Sequence, residues 1–282
     1  MNHALQLKGV SKRYQGFALE DVTFSLPKGS IMGLIGENGA GKSTTLKAIM
    51  GVIQKDAGQV SVFGESFDGS DCDLKEKIGV VMDSANFAPD VTVNNVNRIM
   101  KHIYRNWNEE QFWYYQRKFK LPKEKPIKDF SRGMRMKLPL AVALSHDAKL
   151  LILDEATSGL DPISRDELLD VFLEFIQDEE HSILMSSHIL SDLEKACDYI
   201  TFIHEGRVYF SESKDVLLEK YGMFRGAEEV LNKVSPGAIV GVRRHQFGVD
   251  ALLRRDLAGQ ELSLDPVDIE TVMLYHVKHV YK

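Results

Sequence analysis

The sequence has few cysteines, no long apolar run and no excess of positive charge. Its 282 residues include two cysteines, Cys72 and Cys197, which are too few for a disulfide framework and suit a reducing compartment. The 35 Lys and Arg residues are outnumbered by 41 Asp and Glu residues, and this acidic balance argues against a nucleic-acid partner. No stretch approaches about 18 consecutive apolar residues, so any membrane crossing must be supplied by another chain. Sequence that is 44% hydrophobic and 27% charged is typical of a globular protein with a substantial core.

Apolar periodicity predicts an α/β fold. The chain begins directly with strand-like sequence and shows no signal-peptide pattern. Alternation from Leu5 to Leu26 indicates antiparallel strands. The short apolar runs at 149–153 and 182–185 are typical of parallel strands that are buried on both faces. We therefore expect a core of mainly parallel sheet with an antiparallel β subdomain.

Two further parts are expected around this core. From about 88 to 148 the sequence becomes polar, aromatic and helical, which predicts an inserted helical subdomain. We place a domain boundary after residue 215, so that 216–282 forms a small C-terminal α+β extension. Its final helix is predicted to start at Asp265-Pro266.

A glycine-rich run lies between an apolar strand and an amphipathic helix, and it matches G-x-x-x-x-G-K-[ST] in its required context. The run consists of Gly36, Glu37, Asn38, Gly39, Ala40, Gly41, Lys42 and Ser43. Its glycines let the backbone wrap a phosphate chain with N–H groups inward, and the helix N-terminus favours the anion. We expect Lys42 to reach the β and γ phosphates, Ser43 to bind Mg²⁺ and Thr44 to add a phosphate contact. The alternative is a structural turn with a surface lysine, which the full match disfavours.

Two carboxylates follow a buried strand. The run Leu150–Leu153 ends at Asp154 and Glu155, at the edge where open α/β sheets bind ligands. Asp154 is expected to hold the Mg²⁺ ion, as the second acid of a P-loop NTPase does. Glu155 is then placed to polarise the attacking water as general base. Without the phosphate loop, two solvated acids at a strand end would be an equally good interpretation.

Three further motifs distinguish among P-loop families. They are Phe130-Ser131-Arg132-Gly133-Met134, Ser158-Gly159-Leu160-Asp161 and Ser186-Ser187-His188. In this order and spacing they resemble the signature motif, D-loop and switch histidine of the ATP-binding cassette (ABC) family, over roughly residues 4–215. The overall pattern looks like the ATPases of prokaryotic antibiotic and peptide exporters.

The resemblance implies a P-loop NTPase that binds ATP and Mg²⁺ between two head-to-tail chains, identical or different. Ser131 and Gly133 would contact the γ phosphate held by the other chain. His188 would bond the γ phosphate and the attacking water, and Asp161 would link the two sites. Tyr14 matches the position that stacks on adenine. The alternatives are a satisfied structural histidine at 188 and a packing aromatic at 14.

The family also implies partners and a location. The ATPase chain would be cytoplasmic and peripheral on the inner face of the membrane, attached to separate transmembrane permease subunits. The cleft between the helical insert and the core would receive a short permease helix, for which 84–115 is our candidate region. Within it, Phe112 and Tyr115 share a helical face with Phe119, which favours a subdomain core. Aromatics on other faces, such as Trp107, are candidates for the permease contact.

Three residues depart from the family pattern. In the signature motif, Arg132 replaces the first glycine and Met134 replaces the glutamine. Asp83 stands where the family places a glutamine that contacts Mg²⁺ and water. A carboxylate binds Mg²⁺ as well as an amide does, but it adds negative charge beside a triphosphate.

The leading interpretation is therefore the ATP-hydrolysing subunit of a transporter, with export expected. One alternative is a soluble ABC ATPase that acts on ribosomes or DNA. The single phosphate loop and the lack of sustained heptads argue against this alternative. A second alternative is an ATP-sensing module with little turnover, because Asp83 and Arg132 are atypical. The substrate is not encoded in this chain, because the permease would carry it.

Overall fold

The fold was analysed in a computed structural model that describes residues 3–83, 87–259 and 262–278. The chain forms two compact units, Met1–Val208 and Tyr209–Lys282. The division falls inside the strand Arg207–Ser213, a few residues before the boundary predicted after residue 215. Across the described residues, no helix is both long and apolar enough to cross a bilayer.

The first unit combines two sheets with a helical insert. Its strands are β1 (His3–Tyr14), β2 (Phe17–Pro27), β3 (Ile31–Ile35), β4 (Ala57–Val62), β5 (Glu65–Ser66), β6 (Ile78–Val81), β7 (Leu150–Asp154), β8 (Ser182–Ser187), β9 (Tyr199–His204) and β10 (Arg207–Ser213), the last of which continues into the second unit. Its α-helices are α1 (Lys42–Ile49), α2 (Cys72–Glu76), α3 (Val93–Ile103), α4 (Glu109–Lys118), α5 (Arg132–Ala143), α6 (Pro162–Phe175) and α7 (Leu190–Ala196).

The larger sheet is the predicted parallel core. Its six strands have the order β10-β9-β3-β8-β7-β6, and β9, β3, β8, β7 and β6 run parallel. Every residue of β3, β7 and β8 is buried, as their continuous apolar runs predicted. Because these three strands are neighbours and parallel, their carboxyl ends lie side by side at one edge of the sheet.

A smaller antiparallel sheet has the order β2-β1-β4-β5. Alternate residues of its strands face one side, so that Leu5 pairs with Leu26 and Leu7 pairs with Phe24. All four side chains are buried and belong to the same apolar cluster as Leu46 of α1. The antiparallel subdomain therefore shares a core with the helix that follows the glycine-rich loop.

The helical insert consists of α3, α4 and α5, with a short 3₁₀ helix at Ile127–Asp129. Phe112, Tyr115 and Phe119 are buried together, which confirms the predicted subdomain core. Helix α5 begins where the Ser131 hydroxyl accepts a hydrogen bond from the Met134 N–H group, at 3.2 Å.

The second unit is an α+β fold, as expected. Its elements are α8 (Lys214–Lys220), β11 (Tyr221–Gly226), α9 (Glu228–Leu231), a 3₁₀ helix (Pro236–Ala238), β12 (Ile239–His245), β13 (Gly248–Arg254) and α10 (Ile269–Lys278). The strands form an antiparallel sheet in the order β11-β13-β12. The described residues of this unit include a separate apolar cluster around Phe224, Leu231 and Leu253.

The predicted start of the last helix at Asp265-Pro266 is wrong. The helix starts at Ile269, and the Asp268 carboxylate accepts a hydrogen bond from the Thr271 N–H group at 2.7 Å. Asp265 is extended because its backbone exchanges two hydrogen bonds with Met223. A tertiary bridge thus overrides the local helix-start signal.

Replacing Phe112 with alanine is expected to destabilise the first unit by about 3–5 kcal/mol, because it leaves a cavity in the core of the helical insert. Phe112 is fully buried, whereas Tyr114 on the same helix is 45% exposed and serves as the matched control. Urea unfolding followed by circular dichroism measures both variants. Equal losses in Phe112→Ala and Tyr114→Ala would contradict the assigned core.

Candidate active site

The glycine-rich loop joins β3 to α1 at the carboxyl edge of the parallel sheet. Gly39 and Gly41 have φ angles of 85° and 113°, which are positions that favour glycine. Helix α1 begins at Lys42, directly after Gly41. The turn therefore places the N–H groups at the start of α1 beside the loop, as an anion site requires.

The Lys42 side chain is folded back into this loop. Its Nζ donates to the carbonyl oxygens of Gly36 at 2.7 Å and Glu37 at 3.2 Å. Nζ also lies 3.5 Å from Oε1 of Glu155, and the side chain is only 5% exposed. A nearly buried cation is thus held where a phosphate chain is expected to lie.

Asp154 connects three segments of the site. Its Oδ1 accepts a hydrogen bond from Ser186 Oγ at 2.6 Å and another from Ser43 Oγ at 3.1 Å. The residue is 4% exposed. Hydroxyl and carboxylate oxygens at one point match the donors that Mg²⁺ takes from a protein when phosphates supply other ligands, so the residues present fit this ion.

Glu155 is held from three sides. Its backbone has a φ of 52°, an uncommon conformation for a residue other than glycine, and its N–H group is bonded to Ser186. His188 Nδ1 donates to Oε2 of Glu155 at 2.6 Å, while Oε1 faces Lys42. The sheet edge therefore brings together an acid, an imidazole and an ammonium group, which can act on a water and a phosphate.

Lys42, Ser43, Glu155 and His188 line a cleft of about 730 Å³, and Asp154 is not among its described lining residues. The described lining residues are Gly16, Phe17, Glu37, Asn38, Gly39, Gly41, Lys42, Ser43, Thr44, Asp83, Glu155, Ser158 and His188. Most of the predicted phosphate-loop residues are present, but Gly36 and Ala40 are not among the described lining residues, and Ala40 is buried in the apolar core. The cleft is large enough for a nucleotide.

The aromatic side of the cleft differs in detail from the expectation. Phe17 and Gly16 are among its described lining residues, and Tyr14 is not. Tyr14 ends β1 and pairs with Phe17, with its ring 47% exposed and the Lys12 ammonium 5.7 Å from the ring centre. Sequence reasoning missed Phe17, although an aromatic after a glycine turn was a usable signal. Stacking of Tyr14 on adenine stays a prediction.

Ser131, Gly133 and Asp161 are not among the described residues lining this cleft. Ser131 and Asp161 are the N-cap residues of α5 and α6, and hydrogen bonds from the N–H and hydroxyl groups of Ser164 lower the pKa of the Asp161 carboxyl. A methyl group on Gly133 would meet nothing nearer than Leu160 Cδ2 at 3.8 Å. Packing within the described chain therefore does not require glycine at 133.

A second, more apolar cleft of about 770 Å³ lies in the same unit. Its described lining residues are Lys47, Met50, Gly51, Val52, Phe67, Gly69, Cys72, Lys75, Glu76, Ile78, Val80, Met82, Ile103, Tyr104 and Arg105. We call this cleft the side groove. Val52 is 67% exposed and Ile103 is 59% exposed, which is unusual for apolar side chains.

The candidate permease region 84–115 overlaps the side groove only in part. Residues 84–86 lie outside the described residues, and Trp107 is not among the described lining residues. Trp107 instead donates to Asn97 Oδ1 at 3.0 Å inside the insert. Tyr104 lines the groove and stacks on His146, with ring centres 3.9 Å apart. Burial raises the pKa of the Tyr104 hydroxyl and lowers the pKa of the His146 imidazole.

Comparison with known proteins agrees with this geometry. A family profile described as ABC transporter matches residues 19–158. The chain is 34% identical over 231 residues to a lantibiotic transport ATP-binding protein of Streptococcus pyogenes, covering 81% of this chain and 96% of that protein. It is 33% identical over 195 residues to a bacitracin transport ATP-binding protein of Bacillus licheniformis, covering 68% of this chain and 63% of that protein.

Solved structures share the fold. An ATP-binding subunit of an ABC transporter has a TM-score of 0.67 at 29% identity, covering 76% of this chain and 91% of that chain. A dimeric ATP-binding cassette in a post-hydrolysis state with ADP and Pi has a TM-score of 0.66 at 20% identity, covering 74% of this chain and 98% of that chain. The latter likeness is one of fold.

Replacing Lys42 with alanine is expected to weaken ATP binding by about 10- to 100-fold, since a hydrogen bond to a charged group contributes about 1.5–3 kcal/mol. Isothermal titration of the purified chain with ATP measures the change. Lys47→Ala is the matched control, because Lys47 lies on the same helix but lines the side groove. Unchanged affinity in Lys42→Ala would contradict the role assigned to the loop.

Proposed function

The chain belongs to the ABC transporter family of ATP-binding subunits, and from this premise we propose that its cleft at Lys42 binds and hydrolyses ATP to power export through separate permease chains. The observation that carries the proposal is the convergence of Lys42, Asp154 and Glu155 at one sheet edge. Action on ribosomes or DNA is not favoured, because the relatives are transport proteins and the net charge is -6.

In this proposal, Ser43 and Asp154 hold Mg²⁺, with Asp83 as a further candidate ligand. The bound ion would neutralise charge on the β and γ phosphates. Lys42 exchanges its contacts with the loop carbonyls and Glu155 for contacts with phosphate oxygens. The remaining loop residues cradle the phosphates through their backbone N–H groups.

Glu155 then acts as general base on the attacking water, and His188 orients the Glu155 carboxylate. The support is geometric, because His188 Nδ1 lies 2.6 Å from Oε2 of Glu155. Once Lys42 has moved to the phosphate oxygens, the Glu155 carboxylate keeps its hydrogen bond from the imidazole and can take a proton from water. When both ring nitrogens carry protons, His188 can also donate from Nε2 to the γ phosphate.

The functional unit in this proposal is a dimer of two such chains, either identical or different. Ser131 and Gly133 are not among the described residues that line the cleft of their own chain, and Gly133 has an open face. We propose that these residues contact the γ phosphate held by the second chain, with Asp161 connecting the two sites. A cassette of similar fold is dimeric.

Replacing Glu155 with glutamine is expected to lower magnesium-dependent phosphate release by at least about 100-fold, since positioned proton transfer contributes about 10²–10⁴-fold. With turnover blocked, ATP is expected to trap the dimer. Size-exclusion chromatography with and without ATP should show a doubling of mass for Glu155→Gln.

The control for this experiment is the double variant Lys42→Ala/Glu155→Gln, which should stay monomeric with ATP because it cannot hold the phosphates. A Glu155→Gln chain that stays monomeric with ATP would contradict the proposed head-to-tail dimer. A wild-type chain that binds ATP without releasing phosphate would instead support the ATP-sensing alternative.

The side groove is the proposed contact with the permease, which keeps the chain on the cytoplasmic face of the membrane. Its exposed apolar residues, such as Val52 and Ile103, would be removed from solvent by a bound partner. Lys47, Lys75 and Arg105 surround them and can meet acidic groups of the partner. The relatives are named for lantibiotic and bacitracin transport without a direction, and export is our proposal from the sequence pattern.

Replacing Ile103 with glutamate is expected to release the chain from membranes of its native cell, because a buried, unpaired charge at an interface is strongly unfavourable. Quantitative immunoblotting of membrane and soluble fractions measures the release. Val216→Glu is the control, since Val216 is 53% exposed and lies outside the described groove residues. Equal retention of Ile103→Glu and wild type would place the permease contact elsewhere.

A further inference from the structure

Two of the residues that depart from the family pattern, Arg132 and Asp83, lie next to each other in the fold. Nη2 of Arg132 is 3.9 Å from Oδ1 of Asp83, although the residues belong to different subdomains. Arg132 is the first residue of α5, and Asp83 follows β6 of the parallel sheet. Their side chains are 53% and 58% exposed, so they form a surface ion pair that solvent can reach.

Arg132 is also located by a third segment. Gly159 has a φ of 67°, and a methyl group on its Cα would collide with the guanidinium of Arg132. The guanidinium therefore packs closely against the backbone at Gly159 and also neighbours the carboxylate of Asp83. Its position is set by packing as well as by charge.

Asp83 faces the nucleotide cleft as well as Arg132. The cleft is already lined by Glu37 and Glu155, and Asp154 lies behind Ser43. A further carboxylate at this point adds repulsion toward a triphosphate, and Lys42 is the only lysine or arginine among the described lining residues. A neighbouring cation that holds the carboxylate and neutralises its charge reduces this repulsion.

We infer that Arg132 is a positioning residue for Asp83 in the same chain. The pair takes the place of the uncharged residues that the family pattern has at both positions. Arg132 holds the Asp83 carboxylate toward α5 and offsets its charge, so that the cleft accepts the phosphates of ATP. This inference rests on the proposed function, since it requires the cleft to bind nucleotide.

The test is a double-mutant cycle on ATP binding by the purified chain in EDTA, at concentrations where it is monomeric by size exclusion. Without metal, the dissociation constant reports charge in the cleft rather than turnover. Arg132→Ala is expected to weaken binding about two- to fivefold, the range of an exposed ion pair. Asp83→Asn/Arg132→Ala should return to the wild-type affinity, and Arg132→Lys should stay close to it.

Two controls separate this role from a structural one. Arg135→Ala removes an exposed arginine from the next turn of the same helix and should leave the affinity unchanged. The loss in Arg132→Ala should also disappear near 1 M salt, where the screening length falls to about 3 Å. Circular dichroism establishes that each variant is folded.

The inference is overturned if Arg132→Ala binds like wild type. It is also overturned if the double variant stays as weak as Arg132→Ala, because Arg132 would then act on the nucleotide without Asp83. Absence of ATP binding by the wild-type chain would overturn the proposed function itself, and the inference with it. These three results are distinct in a single titration series.

Discussion

The arrangement of the site depends on the two hydrogen bonds that Asp154 accepts from Ser43 and Ser186. They tie the start of α1 to the ends of β7 and β8 at the carboxyl edge of the parallel sheet. Asp154 is 4% exposed, so an unsatisfied carboxylate there would be costly. The register of β7 against β8, which pairs Asp154 with Ser186, makes both bonds possible. The loop, the acids and the histidine are close because this register is fixed.

Much of this architecture follows from local sequence patterns. Continuous apolar runs identify β7 and β8, because a strand buried on both faces has no polar alternation. The glycine-rich loop is recognisable because its chemistry demands glycine and lysine at set spacing between a strand and a helix. The acids at 154 and 155 are then placed by the topology alone. What these patterns specify is the edge of the sheet and the residues at that edge.

Other features depend on contacts between distant segments, and sequence patterns do not contain them. The start of α10 is set by a bridge between Asp265 and Met223, which competes with a plausible local signal. Trp107 looks like an interface anchor but is bonded to Asn97 inside the insert. Arg132 and Asp83 are each visible as departures from a family pattern, yet only the fold shows that they are neighbours. Pairing of this kind depends on how two subdomains pack.

The proposed base, Glu155, and the loop lysine, Lys42, are partners of each other in this fold. Oε1 of Glu155 is 3.5 Å from Lys42, and Oε2 is bonded to His188. Removing one partner of a buried ion pair leaves an unpaired charge and destabilises the protein by about 3–5 kcal/mol. Lys42 is therefore expected to leave Glu155 only when another anion takes its place. Phosphate is the natural replacement, because it offers Lys42 a stronger anion and leaves Glu155 with the imidazole. The residues proposed to complete the site, Ser131 and Gly133, are not among the described residues that line this cleft. The proposed mechanism therefore requires two groups from outside this chain, a phosphate for Lys42 and the signature residues of a second chain.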